Sequence, residues 1–210
     1  MSLAIPIRST SAFEIGAVCR SLLLGDVSGD AWDAIAEGDC LTVVVADGVG
    51  HGKLAHEASS AAVAFFRETL ERSPMTKLDV LMRMCNDVLR GTRGAAIGLC
   101  RFDPTAGIAA YCGVGNTCFL RYPHRRGLGV SLPGTVGCMM RSVRVFETTI
   151  LPGDYYAFHT DGVSSSMVLE GYVSLSPQLA AERALSDHGK AIDDATIVMV
   201  RYAGWTPPSD

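Results

Sequence analysis

The chain has 210 residues, of which 48% are hydrophobic and 19% charged, and its formal net charge is −4. These values fit one sizeable domain with its own hydrophobic core, so we predict a single domain at 1–203 and a flexible tail at 204–210. Because Lys and Arg are scattered and the net charge is negative, the chain lacks the basic surface that a nucleic-acid backbone requires.

The cysteines and the N-terminal sequence predict a cytoplasmic protein. The seven Cys residues are an odd number without a C-x-x-C pair, and most lie in apolar segments, as reduced core cysteines do. The sequence MSLAIPIRST has no basic region followed by a long apolar one. Since the longest strongly apolar run is only about six residues, we expect no membrane span.

The first half of the chain predicts two strands followed by two helices. Short apolar runs rich in β-formers predict strands at 15–24 and 41–46. Small and apolar side chains that recur at helical spacing predict helices at 53–72 and 76–90. The second helix begins with a pattern that resembles a capping box, with Thr76 as its N-cap.

The second half predicts mainly strands. Alternating or continuously apolar segments, separated by tight-turn sequences, predict antiparallel strands at 95–102, 107–122, 143–150 and 155–160. A last helix is predicted at 176–188 and a closing strand at 196–202. This order of elements indicates α+β layers rather than strict βαβ alternation.

The segment DGVGHGK, residues 47–53, joins a predicted strand to a predicted helix through three glycines. A dinucleotide-binding loop would need glycine where Lys53 stands, and a P-loop would need glycine where Asp47 stands. Asp47 also brings negative charge to the place where phosphate would meet bare backbone N–H groups. We therefore interpret Asp47 as a metal ligand, against the simpler interpretation of an Asp-Gly turn that ends a strand.

Three further acidic residues lie at predicted strand ends: Asp161 follows a strand in FHTDGV, Asp193 precedes the last strand, and Asp30 precedes the strand that leads to Asp47. Carboxylates gathered at adjacent strand ends repel each other unless cations neutralise them. Ligands that are all oxygen favour Mg²⁺ or Mn²⁺. Two such ions would position a phosphate and activate a bridging water, which suits hydrolysis of a phosphate ester.

The segments SGD, ADGVGHG, GVGN, TDGV and DDAT, in this order, resemble the motifs of the metal-dependent Ser/Thr protein phosphatases of the 2C type (PPM), specifically their bacterial SpoIIE branch. The resemblance spans roughly residues 16–202. Within the branch, the segments CNDVLRGTRGAA and YCGVGN are similar to those of a small stressosome phosphatase that has no sensor domain. The resemblance implies a four-layer α/β/β/α sandwich, in which helices flank two antiparallel sheets and the metals lie at one edge.

By this resemblance, Asp47 bridges two Mn²⁺ or Mg²⁺ ions and the Gly48 carbonyl binds one of them, while Asp161 and Asp193 complete the other site. Asp30 takes the place of the first acidic residue, which contacts metal directly or through water. The implied activity is hydrolysis of phosphoserine and phosphothreonine in proteins by metal-activated water, without a phosphoenzyme.

The implied substrates are phosphorylated stressosome scaffold proteins with the anti-sigma-antagonist (STAS-like) fold, in a partner-switching stress pathway. The alternatives are a different antagonist of that fold as the substrate, or a domain that binds a partner without catalysis.

Residues near the motifs either depart from the 2C pattern or have expected roles other than metal binding. Residues 25–29 contain no arginine, whereas eukaryotic 2C enzymes have a phosphate-binding arginine just before the first acidic motif. His51 is either a proton donor to the leaving oxygen or, as we favour, a solvated loop residue. The remaining polar residues are expected to have structural roles: Asp194 as a supporting or capping residue, Asp26 and Asp33 as turn or surface groups, and Asn116 as a turn former.

Overall fold

The computed structural model describes residues 12–23, 26–124 and 129–205. The strands in these residues are β1 (Phe13–Arg20), β2 (Asp30–Glu37), β3 (Cys40–Gly48), β4 (Ala95–Asp103), β5 (Ile108–Val114), β6 (Cys118–Tyr122), β7 (Ser131–Leu132), β8 (Gly134–Thr135), β9 (Met139–Met140), β10 (Phe146–Thr149), β11 (Tyr155–His159) and β12 (Ala195–Tyr202). The helices are α1 (Lys53–Arg72), α2 (Leu78–Val88) and α3 (Pro177–His188), with a short 3-10 helix at Leu169–Gly171.

Two sheets pack face to face. Sheet A has the strand order β1-β12-β11-β6 and sheet B the order β10-β5-β4-β3-β2, and all these neighbours are antiparallel. Aromatic rings from both sheets meet between them: the ring of Phe102 on β4 lies 4.9 Å from that of Tyr156 on β11. Tyr111 on β5 and Phe119 on β6 stack at 4.7 Å. The main core is therefore the interior of a sandwich.

Helices cover both outer faces of the sandwich. The buried side chains of α1 and α2, which include Phe66 and Leu81, pack on the outer face of sheet B. The small buried residues of α3, which include Ala181 and Ala184, pack on the outer face of sheet A. The layers run α, β, β, α, so the predicted four-layer α+β fold is confirmed.

Strand β2 was not predicted, because its sequence DAWDAIAE places charged residues at positions that the fold buries. Asp33 was expected in a turn or at the surface, and this prediction was wrong. The residue is 5% exposed, and its carboxylate forms an ion pair with Arg67 of α1. A buried carboxylate needs such a partner, and a partner 34 residues away leaves no mark in the local pattern.

The predicted strand at 107–122 is two strands that belong to different sheets. Strand β5 ends at Val114 in sheet B, and β6 begins at Cys118 in sheet A. Between them the chain turns at Gly115, whose φ is +97°. The chain therefore crosses from one sheet to the other at Gly115–Thr117.

Three other predicted boundaries also differ. The first strand ends at Arg20 rather than at 24, which itself lies outside the described residues, and the predicted strand 143–150 is shortened to 146–149. Helix α2 begins at Leu78 with Lys77 as N-cap. The Thr76 hydroxyl instead donates to the Ser73 carbonyl at 2.8 Å, so the capping box does not form.

Trp205, within the predicted flexible tail, packs against the core between the sheets, and the flexibility of the tail stays a prediction. The rest of the tail, residues 206–210, lies outside the described residues, and the extent of the single domain stays a prediction. The seven cysteines form no disulfide in the structure, and their reduced state stays a prediction. In the described residues, no helix is both long and apolar enough to cross a membrane.

Candidate metal centre

The four predicted acidic residues come together at one edge of the sandwich, two from each sheet. Asp30 at the start of β2 is the register partner of Asp47 near the end of β3. Asp161 follows the end of β11, and Asp193 lies two residues before β12, which pairs with β11. The site therefore bridges sheets A and B.

Thr160 connects the two sheets at this edge. Its hydroxyl donates to the Asp30 carboxylate at 2.7 Å and accepts a hydrogen bond from the Thr196 backbone N–H at 3.0 Å. Its own backbone N–H donates to the Thr196 carbonyl at 3.1 Å. Thr160 was not identified from the sequence, because nothing local indicates that its hydroxyl reaches the other sheet.

A cavity of about 610 Å³ opens at this edge. Asp47, Asp161 and Asp193 line it together with exposed His51, whereas Asp30 does not line it. Asp30 is 4% exposed, so its carboxylate lies in the protein interior. The other residues that line the cavity are Leu22, Val49, Gly50, Ala96, Gly115, Asn116, Pro133, Gly134, Thr135 and Ile192.

The two Asp-Gly-Val segments need glycine because neighbouring backbone occupies the space of a side chain. A Cβ on Gly48 would lie 2.0 Å from the carbonyl oxygen of Ala55 in α1, and one on Gly162 would lie 1.8 Å from that of Asp194. Non-bonded atoms do not approach so closely. These glycines therefore let the segments that carry Asp47 and Asp161 pack directly against their neighbours.

Asp194 holds the loop that precedes Asp30 through two hydrogen bonds. Its buried carboxylate accepts the Leu22 N–H at 2.7 Å through one oxygen and the Gly29 N–H at 2.8 Å through the other. Because both oxygens already have donors, Asp194 supports the loop, which agrees with the role expected from the sequence. Asp26, which was expected at the surface, is exposed and accepts the Val27 N–H at 2.8 Å.

Three residues that the sequence did not identify contact the acidic residues or their backbone. Asn116 lies where the chain turns, as expected, and its amide also donates to the Asp161 carboxylate at 2.6 Å, a contact that the sequence did not indicate. Lys190 donates through Nζ to the Asp161 carbonyl. The Arg20 guanidinium donates to the Lys190 and Asp193 carbonyls. A break in the predicted strand 107–122 would have placed Asn116 in this loop, whereas Arg20 and Lys190 gave no signal.

Negative charge accumulates at this edge. Burial, followed by the charges of Asp30, Asp161 and Asp193, raises the pKa of Asp47 to about 8. Burial also raises the pKa of Asp30 to about 7, although hydrogen bonds from Thr160 and Thr196 oppose that rise. Burial and the nearby Asp161 raise the pKa of Asp193 as well. A divalent cation among these carboxylates would stabilise their charged forms.

The donor set fits a hard cation because all its candidate ligand atoms are oxygens. In the described part of the chain, however, no three side chains of His, Cys, Asp or Glu are arranged to hold a metal ion by themselves. Mg²⁺ usually keeps several water ligands and takes only one or two carboxylates from the protein. The cavity that Asp47, Asp161 and Asp193 share can hold an ion with water ligands, and the role of each residue as a ligand stays a prediction.

Replacing Thr160 by Val is expected to lower the free energy of unfolding by about 1–3 kcal/mol. The change keeps the shape of the side chain but removes a donor from buried Asp30 and an acceptor from the Thr196 N–H. Urea denaturation of metal-free protein measures this difference. Thr105→Val, at an exposed turn, is the matched control and should stay within about 0.5 kcal/mol of wild type; equal losses in both variants would contradict the role of Thr160.

The sequence model of the family described as Stage II sporulation protein E (SpoIIE) matches residues 37–203. The chain belongs to the SpoIIE family. The matched range contains Asp47, Gly48, Asp161 and Asp193, while Asp30 precedes it. The resemblance to the SpoIIE branch, which the motifs indicated, is therefore confirmed.

Individual relatives agree with membership of the SpoIIE family. The chain is 26% identical over 140 residues to the phosphoserine phosphatase RsbX of Bacillus subtilis (strain 168). These 140 residues are 66% of this chain and 68% of RsbX. A solved structure from work on the bacterial stressosome, as a modular system adapted to control secondary messenger signalling, is 27% identical, with a TM-score of 0.82 over 90% of this chain and 99% of the other.

Two more distant structures share the fold. RsbX in complex with magnesium is 19% identical, with a TM-score of 0.80 over 96% of this chain and 99% of the other. The PP2C phosphatase domain of SpoIIE from Bacillus subtilis, solved with a fragment of its regulatory domain, is 22% identical, with a TM-score of 0.75 over 92% of this chain and 64% of the other. The predicted class, a PPM-type protein serine/threonine phosphatase, is confirmed at this level, and metal dependence is general to these enzymes.

Proposed function

We propose that this SpoIIE-family chain removes phosphate from phosphoserine or phosphothreonine of a cytoplasmic protein, with two Mg²⁺ or Mn²⁺ ions in the cavity at the edge of the sandwich. The observation that carries this proposal is the convergence of Asp47, Asp161 and Asp193, from both sheets, on one open cavity. Such a set of oxygens suits hard divalent cations, and these cations suit phosphate chemistry.

The side chains would divide the work by position. Asp47 would bridge the ions, Asp161 and Asp193 would hold one of them, and the Gly48 carbonyl would bind the other. Asp30, which is buried, would contact an ion through a water molecule. When bound, the ions supply charge neutralisation of the phosphate and a water of lowered pKa that attacks phosphorus.

The neighbouring residues keep these ligands in place. Asn116 fixes the orientation of the Asp161 carboxylate through its hydrogen bond. Arg20 and Lys190 hold the backbone of Asp193 and Asp161. Because the ligands come from different sheets, these contacts would hold the geometry that a phosphate and a water need for in-line attack.

For the substrate, the similarity to RsbX favours a phosphorylated stressosome protein, and we propose a scaffold protein with the STAS-like fold. The second candidate is another anti-sigma-factor antagonist of that fold. A purely binding domain is less favoured, because the chain keeps all four acidic residues at the edge of the sandwich.

The proposed function is tested by incubating the purified chain with phosphorylated STAS-like proteins from the same genome, with Mn²⁺, with Mg²⁺ and with EDTA. We expect release of inorganic phosphate that requires the metal and leaves phosphotyrosine substrates intact. Mass spectrometry of the substrate identifies the phosphosite that is lost. If neither p-nitrophenyl phosphate nor any of these proteins loses phosphate with either metal, the chain is not the phosphatase proposed.

A further inference from the structure

Arg93 lies beside the cavity, in the loop between α2 and β4. A Cβ placed on Gly50 would lie 2.7 Å from Nη1 of Arg93, so the guanidinium group takes the space next to a residue that lines the cavity. Gly50 is three residues after Asp47, a stretch of chain that spans at most about 10 Å. The guanidinium is therefore near the carboxylates that line the cavity.

The backbone of the Arg93 loop is attached to the Asp47 loop. The Val49 N–H donates to the Gly94 carbonyl at 3.0 Å, which joins the Arg93 loop to a residue that lines the cavity. On its other side, the Cys138 thiol donates to the Arg93 carbonyl at 3.3 Å. These contacts hold the backbone of Arg93 while its side chain stays exposed to solvent.

The guanidinium of Arg93 has its donors available. In the described residues no carboxylate lies within ion-pair distance of Arg93, and no acceptor receives a hydrogen bond from its side chain. The other cations at this edge differ, since Arg20 and Lys190 donate to backbone carbonyls. Arg93 therefore offers a free positive group beside a cavity whose charged lining residues are all acidic.

We propose that Arg93 binds the phosphate group of the substrate at the mouth of the cavity, and this inference rests on the proposed phosphatase function. Two divalent ions among the carboxylates would attract a phosphate dianion, and a fixed cation at the mouth adds positive charge for the phosphate oxygens that the ions leave free. The planar guanidinium donates two parallel hydrogen bonds to phosphate oxygens, which a lysine cannot do. Because residues 25–29 contain no arginine, this cation comes from a different loop than in the eukaryotic 2C enzymes.

This role predicts a specific kinetic pattern. A group that holds the phosphate equally in the bound substrate and in the transition state changes KM more than kcat. Hydrogen bonds to charged groups of this kind correspond to about a 10- to 100-fold change in binding. Loss of the guanidinium should therefore raise KM and the inhibition constant of inorganic phosphate together, and should leave the metal requirement unchanged.

The experiment compares Arg93→Gln, Arg93→Lys and the control Arg90→Gln in the presence of Mn²⁺. Arg90 lies three residues away, is exposed, and forms an ion pair with Asp87, so its replacement removes the same charge without removing the group beside Gly50. For p-nitrophenyl phosphate and a phosphoserine peptide, KM should rise by about 10-fold or more in Arg93→Gln and by less in Arg93→Lys. Arg90→Gln should match wild type.

Two further readouts separate the possible outcomes. Calorimetric titration with inorganic phosphate should show the same order of affinities, and the Mn²⁺ concentration for half-maximal activity should be equal in all variants. If Arg93→Gln does not fold, the KM and phosphate affinity of Arg93→Lys, compared with wild type, test the inference. Equal KM and equal phosphate affinity in wild type and the folded Arg93 variants would overturn the inference. If wild type hydrolyses neither substrate, the proposed function fails, and the phosphate titration still tests Arg93.

Discussion

Replacing Asp47 by Asn should lower kcat/KM for phosphate release by about 1,000-fold or more, which corresponds to about 4 kcal/mol of transition-state stabilisation. Asp47 is the candidate that would bridge both ions, so loss of its charge would affect both at once. Asn has nearly the same shape, and therefore the change removes charge without creating a cavity. The rate of phosphate release from p-nitrophenyl phosphate at saturating Mn²⁺ measures the effect.

Stability distinguishes this loss from misfolding. Burial and the neighbouring carboxylates disfavour the charged form of Asp47, so the metal-free Asn variant should be at least as stable as wild type in urea. The control is Asp103→Asn at the opposite end of β4, about 27 Å along the strand from Ala95, the register partner of Gly48. Asp103→Asn should keep full activity; an Asp47→Asn variant with wild-type activity would exclude Asp47 as the bridging ligand.

Replacing Arg121 by Met should lower the free energy of unfolding by about 3–5 kcal/mol. Arg121 on β6 and Asp154 before β11 form an ion pair whose two side chains are each 1% exposed. Arg121 also donates to the Thr148 hydroxyl at 2.7 Å and to the Thr149 carbonyl at 2.6 Å. Met fills much of the same volume, but it removes the positive charge that Arg121 places against the buried Asp154 carboxylate, which is the main cost.

The control for this variant is Arg201→Met. Arg201 forms an ion pair with Glu14 between β12 and β1, but both side chains are partly exposed, at 36% and 46%. An exposed pair of this kind contributes about 0–1 kcal/mol, so the control should lose little stability. Chemical denaturation of both variants measures the difference. If the two variants lose similar amounts of unfolding free energy, burial does not determine the contribution of the Arg121–Asp154 pair.

The elements that the sequence predicted best have a local pattern. Helix α1 has the predicted bounds, because its small and apolar residues recur at helical spacing and Ser73-Pro74 follows its last residue. Strand β2 has no such pattern, since its buried Asp30 and Asp33 depend on Thr160 and Arg67 from elsewhere in the chain. Local sequence therefore indicates elements that bury apolar faces, and it fails where buried charge is compensated by distant partners.

The candidate site, too, was only partly predictable from the sequence. Asp47, Asp161 and Asp193 could be identified because they recur as acidic residues at strand ends, and all three line the cavity. The supporting residues could not, because Arg20 acts through backbone carbonyls 170 and 173 residues away. Asn116 was within reach of sequence reasoning, but an apolar run on both sides of Gly115 indicated one continuous strand rather than two.

The width of the cavity depends on the separation of the two sheets, between which the chain crosses at Gly115–Thr117. Asp47 belongs to sheet B and Asp161 follows a strand of sheet A, so no strand ladder fixes the distance between them. That distance is set by the hydrogen bonds across this edge, such as Thr160 to Asp30, and by the rings that separate the sheets, such as Tyr111 against Phe119. The aromatic core thus acts as a spacer, and a smaller ring there would change the reach between carboxylates without touching either one.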